Sequence, residues 1–269
     1  MNPLIKRGIQ RAFRGMGLEI TSQKQMQQFF DGLRAWNLSM RAIDKVEAVL
    51  AMSDRDAGDI LKYLRKSMSQ FGQDLFVLYE LGYKRNGFFV EFGATNGVDL
   101  SNTHILEREF GWNGILAEPA RGWHESLRRN RSCQIDELCV WKETGVTMLF
   151  REVGEFSTID AFSGADGHAY LRDHAPTYQV GTISLNDLLV KYEAPEWIDY
   201  LSIDTEGSEY DILNAFDFTK HKFRVITCEH NYTDNRERVL ELLAKNGYIR
   251  KYESVSACDD WYVHRDALS

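Results

Sequence analysis

The chain of 269 residues is predicted to be an α/β protein with a mostly parallel, doubly wound sheet and a closing antiparallel hairpin. Three observations predict this fold. Short apolar runs alternate with helical patterns over most of the chain, which is typical of strand–helix–strand units. A small-residue turn at 93–97 joins the first of these runs to a helix. Two late stretches, 248–255 and 260–264, are separated by a tight polar connection and indicate the hairpin.

Residues 1–68 are predicted to form an N-terminal helical segment ahead of a domain that covers 69–269. Within 1–20, basic residues alternate with apolar residues at helical spacing, which is typical of a basic amphipathic helix. Such a helix either binds a membrane surface or docks on the protein's own body. The helical patterns over 23–69 predict a cap, which either shapes a substrate pocket or covers an edge of the sheet.

Composition narrows the class of protein. The sequence is 43% hydrophobic and carries a formal charge of −8, so it lacks the positive charge that a general nucleic-acid binder needs. Four cysteines lie far apart without a C-x-x-C pair, which predicts reduced thiols in a cytoplasmic protein. No run reaches the roughly twenty apolar residues that span a bilayer. Membrane association is therefore predicted only through residues 1–20, at the inner face of the membrane.

The first two predicted strands end in acidic residues that suit a nucleoside-containing ligand. Glu91 lies just before the glycine turn, where it would repel a phosphate group and favours a cationic or zwitterionic ligand. The second strand, 114–118, ends at Glu118, about twenty residues beyond the turn. At that spacing a carboxylate accepts hydrogen bonds from ribose hydroxyls.

The remaining elements continue the alternation. Helices are predicted at 101–110, 121–130, 185–192, 209–215 and 236–246, and strands at 133–141, 147–150, 197–207 and 223–231. The polar stretch 156–178 is predicted to be a long loop that forms a solvated lid. Its alternative role is a metal site built from Asp166, His168, Asp173 and His174.

Acidic residues recur where the later strands end. Asp204 and Glu206 end one strand, and Glu229 with His230 closes the next. Because ligands of such sheets bind at the carboxyl ends of the strands, we expect these side chains to border the same site as Glu118.

Several motifs, in order from about residue 69 to 264, together resemble one known family. They are Ser69-Gln70-x-Gly72-Gln73-Asp74, Gly87-Phe88-Phe89-Val90-Glu91-x-Gly93-Ala94, Ser101-Asn102-Thr103, Trp112-x-Gly114, Glu118-Pro119, Ile203-Asp204-x-Glu206-Gly207-x-Glu209 and Glu229-His230-Asn231. The sequence resembles the FkbM-type family of S-adenosylmethionine-dependent methyltransferases. One departure from the wider methyltransferase pattern is Thr95, which stands where a glycine is usual.

The resemblance implies a seven-stranded Rossmann-like methyltransferase sheet and an O-methyltransferase that uses S-adenosylmethionine. The implied acceptor is a hydroxyl of a small molecule, such as a natural product, or of a sugar in a cell-surface glycan. The residues expected to bind the cofactor are Gln73, Glu91, Gly93, Ala94, Gly97, Ser101, Glu118, Pro119, Cys139, Val140 and Asp204.

Each part of this cofactor has predicted partners. Glu91 suits the cationic part, and Glu118 suits the ribose diol. Gln73 and Ser101 are expected at the amino-acid end, while Cys139 and Val140 would flank the adenine.

The predicted catalytic residues are Asp204, Glu229 and His230. Either Glu229 or His230 would be the base that removes the hydroxyl proton, because His230 has the ordinary pKa nearest neutrality and burial would raise that of Glu229. Asp204 would orient the sulfonium or the acceptor, or join Glu229 in holding a divalent metal, although no metal is indicated. Glu206 is expected only to cap the helix that begins near Glu209.

Two other classes of function remain open. An NAD-dependent sugar oxidoreductase would share the sheet and the ribose acid, but no tyrosine is followed four residues later by lysine, and the closing hairpin is atypical. A non-catalytic module that binds a glycan or a glycan-assembly partner would have no need of acids at every strand end.

Overall fold

The computed structural model describes residues 41–52, 57–164 and 169–267. The described residues from Lys45 onward belong to one compact unit. The predicted amphipathic helix at 1–20 and the first part of the predicted cap lie outside the described residues. The division of the chain after residue 68 stays a prediction. In the described ranges no helix is both long enough and apolar enough to cross a bilayer.

The described residues contain strands β1 (Phe88–Phe92), β2 (Asn113–Ala117), β3 (Gln134–Asp136), β4 (Cys139–Trp141), β5 (Thr147–Arg151), β6 (Thr158–Ile159), β7 (Thr177–Ser184), β8 (Trp197–Ile203), β9 (Lys222–Glu229), β10 (Tyr248–Lys251) and β11 (Asp259–His264). The α-helices are 41–52, Ala57–Leu64, Gln73–Glu80, His104–Phe110, His124–Asn130, Ala169–Arg172, Leu185–Lys191, Glu209–Asn214 and Asn235–Lys245.

Seven strands form the main sheet in the order β10-β11-β9-β8-β1-β2-β3. All neighbours are parallel except β11, which runs antiparallel to both β9 and β10. This arrangement confirms the predicted mostly parallel sheet with its closing hairpin. The chain moves outward from β1 to β3 and then resumes at β8 on the other side of β1. The sheet therefore has a topological switch point between β1 and β8, where ligands of such folds bind.

Apolar side chains bury both faces of this sheet. One cluster includes Ile115, Leu201 and Ile226, and a second contains Phe89 together with Trp261. The described residues before 69 form the helices 41–52 and Ala57–Leu64, as the sequence predicted for this part. These helices contribute buried side chains to the second cluster. The four cysteines carry free thiols, as predicted.

A second sheet lies between β3 and β8 in the sequence, with the order β4-β7-β5-β6. The prediction of one strand over 133–141 was wrong, because Asp136 Oδ1 accepts the Leu138 N–H at 2.9 Å and turns the chain. The parts on either side of the turn pair with different strands, β2 and β7.

The prediction of a loop over 156–178 was also wrong in part. This stretch contains β6, the helix Ala169–Arg172 and the start of β7. The exposed face of β7 carries polar residues, so its first half reads as a loop in the sequence.

The carboxyl ends of β1 and β8 approach each other closely. Gly93 has a φ of +73°, in the left-handed region that favours glycine. A Cβ atom on this residue would lie 2.3 Å from the backbone oxygen of Asp204. Both the conformation and the contact therefore require glycine at position 93.

Gly93→Ala is expected to lower the free energy of unfolding by about 3 kcal/mol or more, because left-handed strain adds to a clash with backbone. Gly145→Ala is the matched control. Gly145 has a φ of +84°, but a Cβ atom on it would meet no other atom within 4 Å, so only about 1 kcal/mol is expected. Urea denaturation measures both losses, and equal losses would contradict the close approach.

Candidate active site

A cleft of about 800 Å³, partly open to solvent, lies at the switch point of the main sheet. Its walls come from the turns that follow β1, β2 and β8, and from the start of β4. Phe150, Ser157 and Ile159 of the second sheet and its connections complete it. No described residue before Glu91 lines the cleft, so the described part of the predicted cap does not shape it.

Glu118 lies buried where β2 ends and faces the cleft. Its Oε2 accepts the Thr95 N–H at 2.7 Å, and its Oε1 accepts the Ala120 N–H at 2.8 Å. A carboxylate has about four acceptor positions, so two remain for ligand hydroxyls. Burial is the main cause that raises the pKa of Glu118 to about 7. This geometry suits the predicted contact with a ribose diol.

Glu91 also lines the cleft, but the protein itself already satisfies its carboxylate. It accepts hydrogen bonds from the Ser101 hydroxyl at 3.0 Å, the Asn102 N–H at 2.7 Å and the Thr103 hydroxyl. Arg131 Nη1 lies 3.8 Å away. Burial raises the pKa of Glu91, while Arg131 opposes that shift. A cationic ligand would share this carboxylate with Arg131.

Ser101 has no hydrogen-bonding capacity left for a ligand. Its hydroxyl donates to Glu91 and accepts from Arg131 Nη1 at 3.0 Å and from the Thr103 N–H at 3.3 Å. A hydroxyl has one donor and two acceptor positions, and these three contacts use them all. Ser101 therefore positions Glu91 and Arg131 in this structure.

Gln73 lies away from the cleft, although it was predicted at the amino-acid end of the cofactor. Its Nε2 donates to Asp259 Oδ2 at 2.7 Å, and its Oε1 accepts the Phe71 N–H at 2.9 Å. The side chain is buried and holds the helix Gln73–Glu80 against the start of β11.

The turn after β1 contributes Gly93 and Thr95 to the cleft, but not Ala94 or Gly97. Ala94 is buried in the core. A Cβ atom on Gly97 would lie 2.5 Å from Arg131 Cγ. Packing within the protein therefore explains this glycine without any ligand.

One part of the cleft wall is largely apolar. Pro119, Cys139 and Val140 line the cleft next to Glu118. Burial raises the pKa of the Cys139 thiol to about 12, so the thiol is neutral at physiological pH. These side chains suit the predicted contact with an adenine ring.

Asp204 and Glu229 form a pair of carboxyl groups at the ends of β8 and β9. Asp204 lines the cleft, and Glu229 Oε2 is buried without a hydrogen-bond partner. Although Asp204 is open to the cleft, the surrounding protein displaces much of its water and raises its pKa to about 6. Burial, followed by repulsion from Asp204, raises the pKa of Glu229 well above its usual range. Both carboxyl groups are therefore weaker acids than ordinary ones.

Glu206 has a role that the sequence did not predict. Its carboxylate accepts a hydrogen bond from Arg172 Nη2 at 2.8 Å, and both side chains are buried. The prediction that Glu206 caps the following helix was wrong. Glu209 Oε1 accepts the N–H groups of Thr205 and Gly207, each at 3.0 Å, and so holds the turn that precedes this helix.

Arg172 connects this acid to the segment that precedes β7. Its Nε donates to the Phe156 carbonyl at 2.7 Å, and its Nη1 donates to the Ser163 carbonyl at 3.4 Å. Sequence reasoning missed both Arg172 and Arg131. No local pattern reveals them, because their partners are distant in sequence, 34 residues away for Arg172 and Glu206.

His230 does not line this cleft. It borders a second pocket of about 240 Å³ with Arg236 and Asp260. Its Nδ1 accepts the Tyr232 N–H at 3.0 Å, and burial lowers its pKa. Glu229 borders this second pocket as well, but a carboxylate oxygen of Glu229 also lies within 4.8 Å of one from Asp204.

Asp204, Glu206 and Glu229 also offer a set of potential metal ligands. One carboxylate oxygen from each lies within 4.8 Å of the others. Hard divalent cations prefer such oxygens. Arg172 already supplies a positive charge to Glu206, so a cation here would compete with the guanidinium group.

The sheet and the cleft at its switch point define an α/β ligand-binding domain of the kind that the sequence resemblance implied. The family described as "Methyltransferase FkbM domain" matches residues 91–250, which is more than half of the chain. The chain therefore belongs to the FkbM methyltransferase family, and it is a methyltransferase.

Solved methyltransferase structures are distantly similar. Methyltransferase FkbM from Methylobacillus flagellatus is 11% identical, with a TM-score of 0.42 over 77% of this chain and 60% of that chain. Precorrin-6y C5,15-methyltransferase from Geobacter metallireducens is 13% identical, with a TM-score of 0.37 over 70% and 76%. The METTL16 methyltransferase domain is 12% identical, with a TM-score of 0.36 over 70% and 63%. A search of curated proteins finds no significant match.

Arg172→Ala is expected to lower the free energy of unfolding by about 3–5 kcal/mol, because it removes one partner of a buried ion pair with Glu206. It should also speed proteolysis of the segment 156–172, which Arg172 holds by its carbonyl contacts. Arg128→Ala is the control, since Arg128 pairs with Glu137 on the surface and should cost less than about 1 kcal/mol. Denaturation and limited proteolysis measure both effects, and losses of equal size would contradict the assigned role.

Proposed function

We propose that the protein is an S-adenosylmethionine-dependent O-methyltransferase that acts on a hydroxyl of a sugar, a glycan or a natural product. The single observation that carries this proposal is the charge of the cleft. Five carboxylates line it, those of Glu91, Glu118, Glu155, Asp204 and Glu206, and no lysine, arginine or histidine of the described chain does so.

This charge matches the proposed cofactor. S-adenosylmethionine would supply a methyl group on a positively charged sulfur, and its ribose carries two hydroxyl donors. Acidic side chains attract the cation, and the free acceptor positions of Glu118 suit the two hydroxyls. After methyl transfer the sulfur is neutral, so the attraction weakens and favours release of the product.

The Asp204–Glu229 pair is the proposed site for the hydroxyl proton of the acceptor. Asp204 faces the cleft, where an acceptor placed in line with the sulfonium methyl would lie. An alcohol is a weak acid, so its proton leaves mainly as the new C–O bond forms. Raised pKa values make the two carboxyls stronger bases than ordinary ones.

The same charge constrains the acceptor. A phosphate or a carboxylate on the acceptor would be repelled by the cleft, since no cationic side chain of the described residues lines it. We therefore propose an acceptor hydroxyl on an uncharged or positively charged molecule. This narrows the proposed glycan class to neutral sugars and amino sugars at the position that enters the cleft.

The alternatives fit less well. An NAD-dependent oxidoreductase would have to hold a pyrophosphate, which this acid-lined cleft disfavours. In addition, the antiparallel strand β11 of the closing hairpin is atypical of such an oxidoreductase. A non-catalytic glycan-binding module would leave the raised pKa values of Asp204 and Glu229 without a use.

Glu118→Ala is expected to weaken binding of S-adenosylhomocysteine at least tenfold, because a charged acceptor of two hydroxyls is lost. Wild-type affinity should fall about tenfold between pH 8 and pH 6, since protonation of Glu118 at about pH 7 removes acceptor positions. Glu155→Ala removes the same charge from the same cleft, and less than a threefold loss is expected. Isothermal titration calorimetry tests this, and equal losses in the two variants would remove Glu118 from the ribose contact.

The function itself is tested with radiolabelled S-adenosylmethionine and a panel of paired acceptors, each glycan offered in neutral and phosphorylated form. Label should enter the neutral members, and mass spectrometry should locate a methyl group on oxygen. Asp204→Asn should lower kcat by about 10²–10⁴-fold, with cofactor affinity changed less than threefold. His230→Ala is the comparison and should retain most of the rate.

Two results would contradict the proposal. Transfer of label only to phosphorylated acceptors would overturn the inferred preference for uncharged or cationic acceptors. A normal rate in Asp204→Asn with a large loss in His230→Ala would assign the base to His230 instead of the Asp204–Glu229 pair.

A further inference from the structure

Asn102 Oδ1 is a buried acceptor that has no hydrogen-bond partner in the structure. The residue is only 8% exposed, and it lines the cleft. Leaving a buried polar atom unsatisfied costs free energy, so such atoms call for an explanation. A ligand that donates a hydrogen bond within the cleft would remove this cost.

The rest of Asn102 is held firmly. Its backbone N–H donates to Glu91 Oε1 at 2.7 Å, and its Nδ2 donates to Ser202 Oγ at 2.9 Å. Glu91 and Ser202 are register partners on β1 and β8. Asn102 therefore bridges the two strands at the switch point through its backbone N–H and its side-chain Nδ2, and its side-chain oxygen is the group left over for a ligand.

The residues predicted for the amino-acid end of the cofactor cannot take that role as placed. Ser101 has used its donor and both acceptor positions inside the protein, and Gln73 lies outside the cleft. Asn102 offers what they do not, which is a free acceptor that lines the cleft. An amide oxygen carries a partial negative charge, and the neighbouring Glu91 carboxylate adds to it.

We infer that Asn102 Oδ1 accepts a hydrogen bond from the α-ammonium group of the cofactor's amino-acid end. This inference rests on the proposed use of S-adenosylmethionine. An ammonium group suits the position because it has three donors and no acceptor, and because its charge is complementary to the acid-lined cleft. Asn102 is then a binding residue that fixes the amino-acid end of the cofactor along the crevice between β1 and β8.

The test compares two ligands that differ only in this ammonium group. S-adenosylhomocysteine carries it, and S-(3-carboxypropyl)-5′-thioadenosine has hydrogen in its place. Wild-type protein should bind the first at least tenfold more tightly by calorimetry, as expected for a hydrogen bond to a charged group. In Asn102→Ala the two affinities should differ by less than about threefold. The change in their ratio measures the coupling between Asn102 and the ammonium group, as in a double-mutant cycle.

Ser202→Ala is the matched control, because it removes the partner of Nδ2 and leaves the Asn102 oxygen in place. Its ratio should stay close to the wild-type ratio, and thermal unfolding verifies that each variant is folded. Equal binding of the two ligands by the wild-type protein would overturn this inference and leave the proposed function standing. That result requires no variant. An unchanged ratio in Asn102→Ala would overturn it as well. Failure of the wild type to bind either ligand would instead overturn the proposed function.

Discussion

The backbone contact between Gly93 and Asp204 determines the shape of the site. The absence of a side chain at Gly93 lets the ends of β1 and β8 approach each other where the sheet changes direction, at the crevice in which a ligand of this fold binds. Glu118, from the neighbouring β2, then faces the same cleft as Asp204. A side chain at position 93 would push apart the two turns that carry these groups.

Charge compensation inside the protein decides which acids are available to a ligand. Arg131 lies behind Glu91 and also pairs with Glu107, and Arg172 lies behind Glu206, so buried guanidinium groups offset part of the charge of these two acids. Buried ion pairs add little stability, and they serve better to hold the surrounding turns in one arrangement. Glu118 and Asp204 have no such arginine partner among the described ion pairs and present acceptors to the cleft. The site is therefore complementary to a ligand that brings positive charge and hydrogen-bond donors.

The sequence predicted the parts of this structure that depend on local pattern. The apolar runs of the main sheet, the glycine turn and the acids at strand ends are periodic or adjacent in sequence, and they predicted the sheet and the cleft position. The second sheet was missed because Asp136 turns the chain within one apolar run, and because β7 begins with polar residues. Arg131, Arg172 and the free oxygen of Asn102 depend on partners far apart in the chain, which no local pattern reveals.

The proposed function requires that the crevice between β1 and β8 binds a sulfonium nucleoside in preference to a dinucleotide. A calorimetric titration of the wild-type protein with S-adenosylhomocysteine and, separately, with NAD tests this preference most directly. We expect saturable one-to-one binding of S-adenosylhomocysteine and no measurable heat from NAD at the same concentrations. Binding of NAD without binding of S-adenosylhomocysteine would contradict the proposed function.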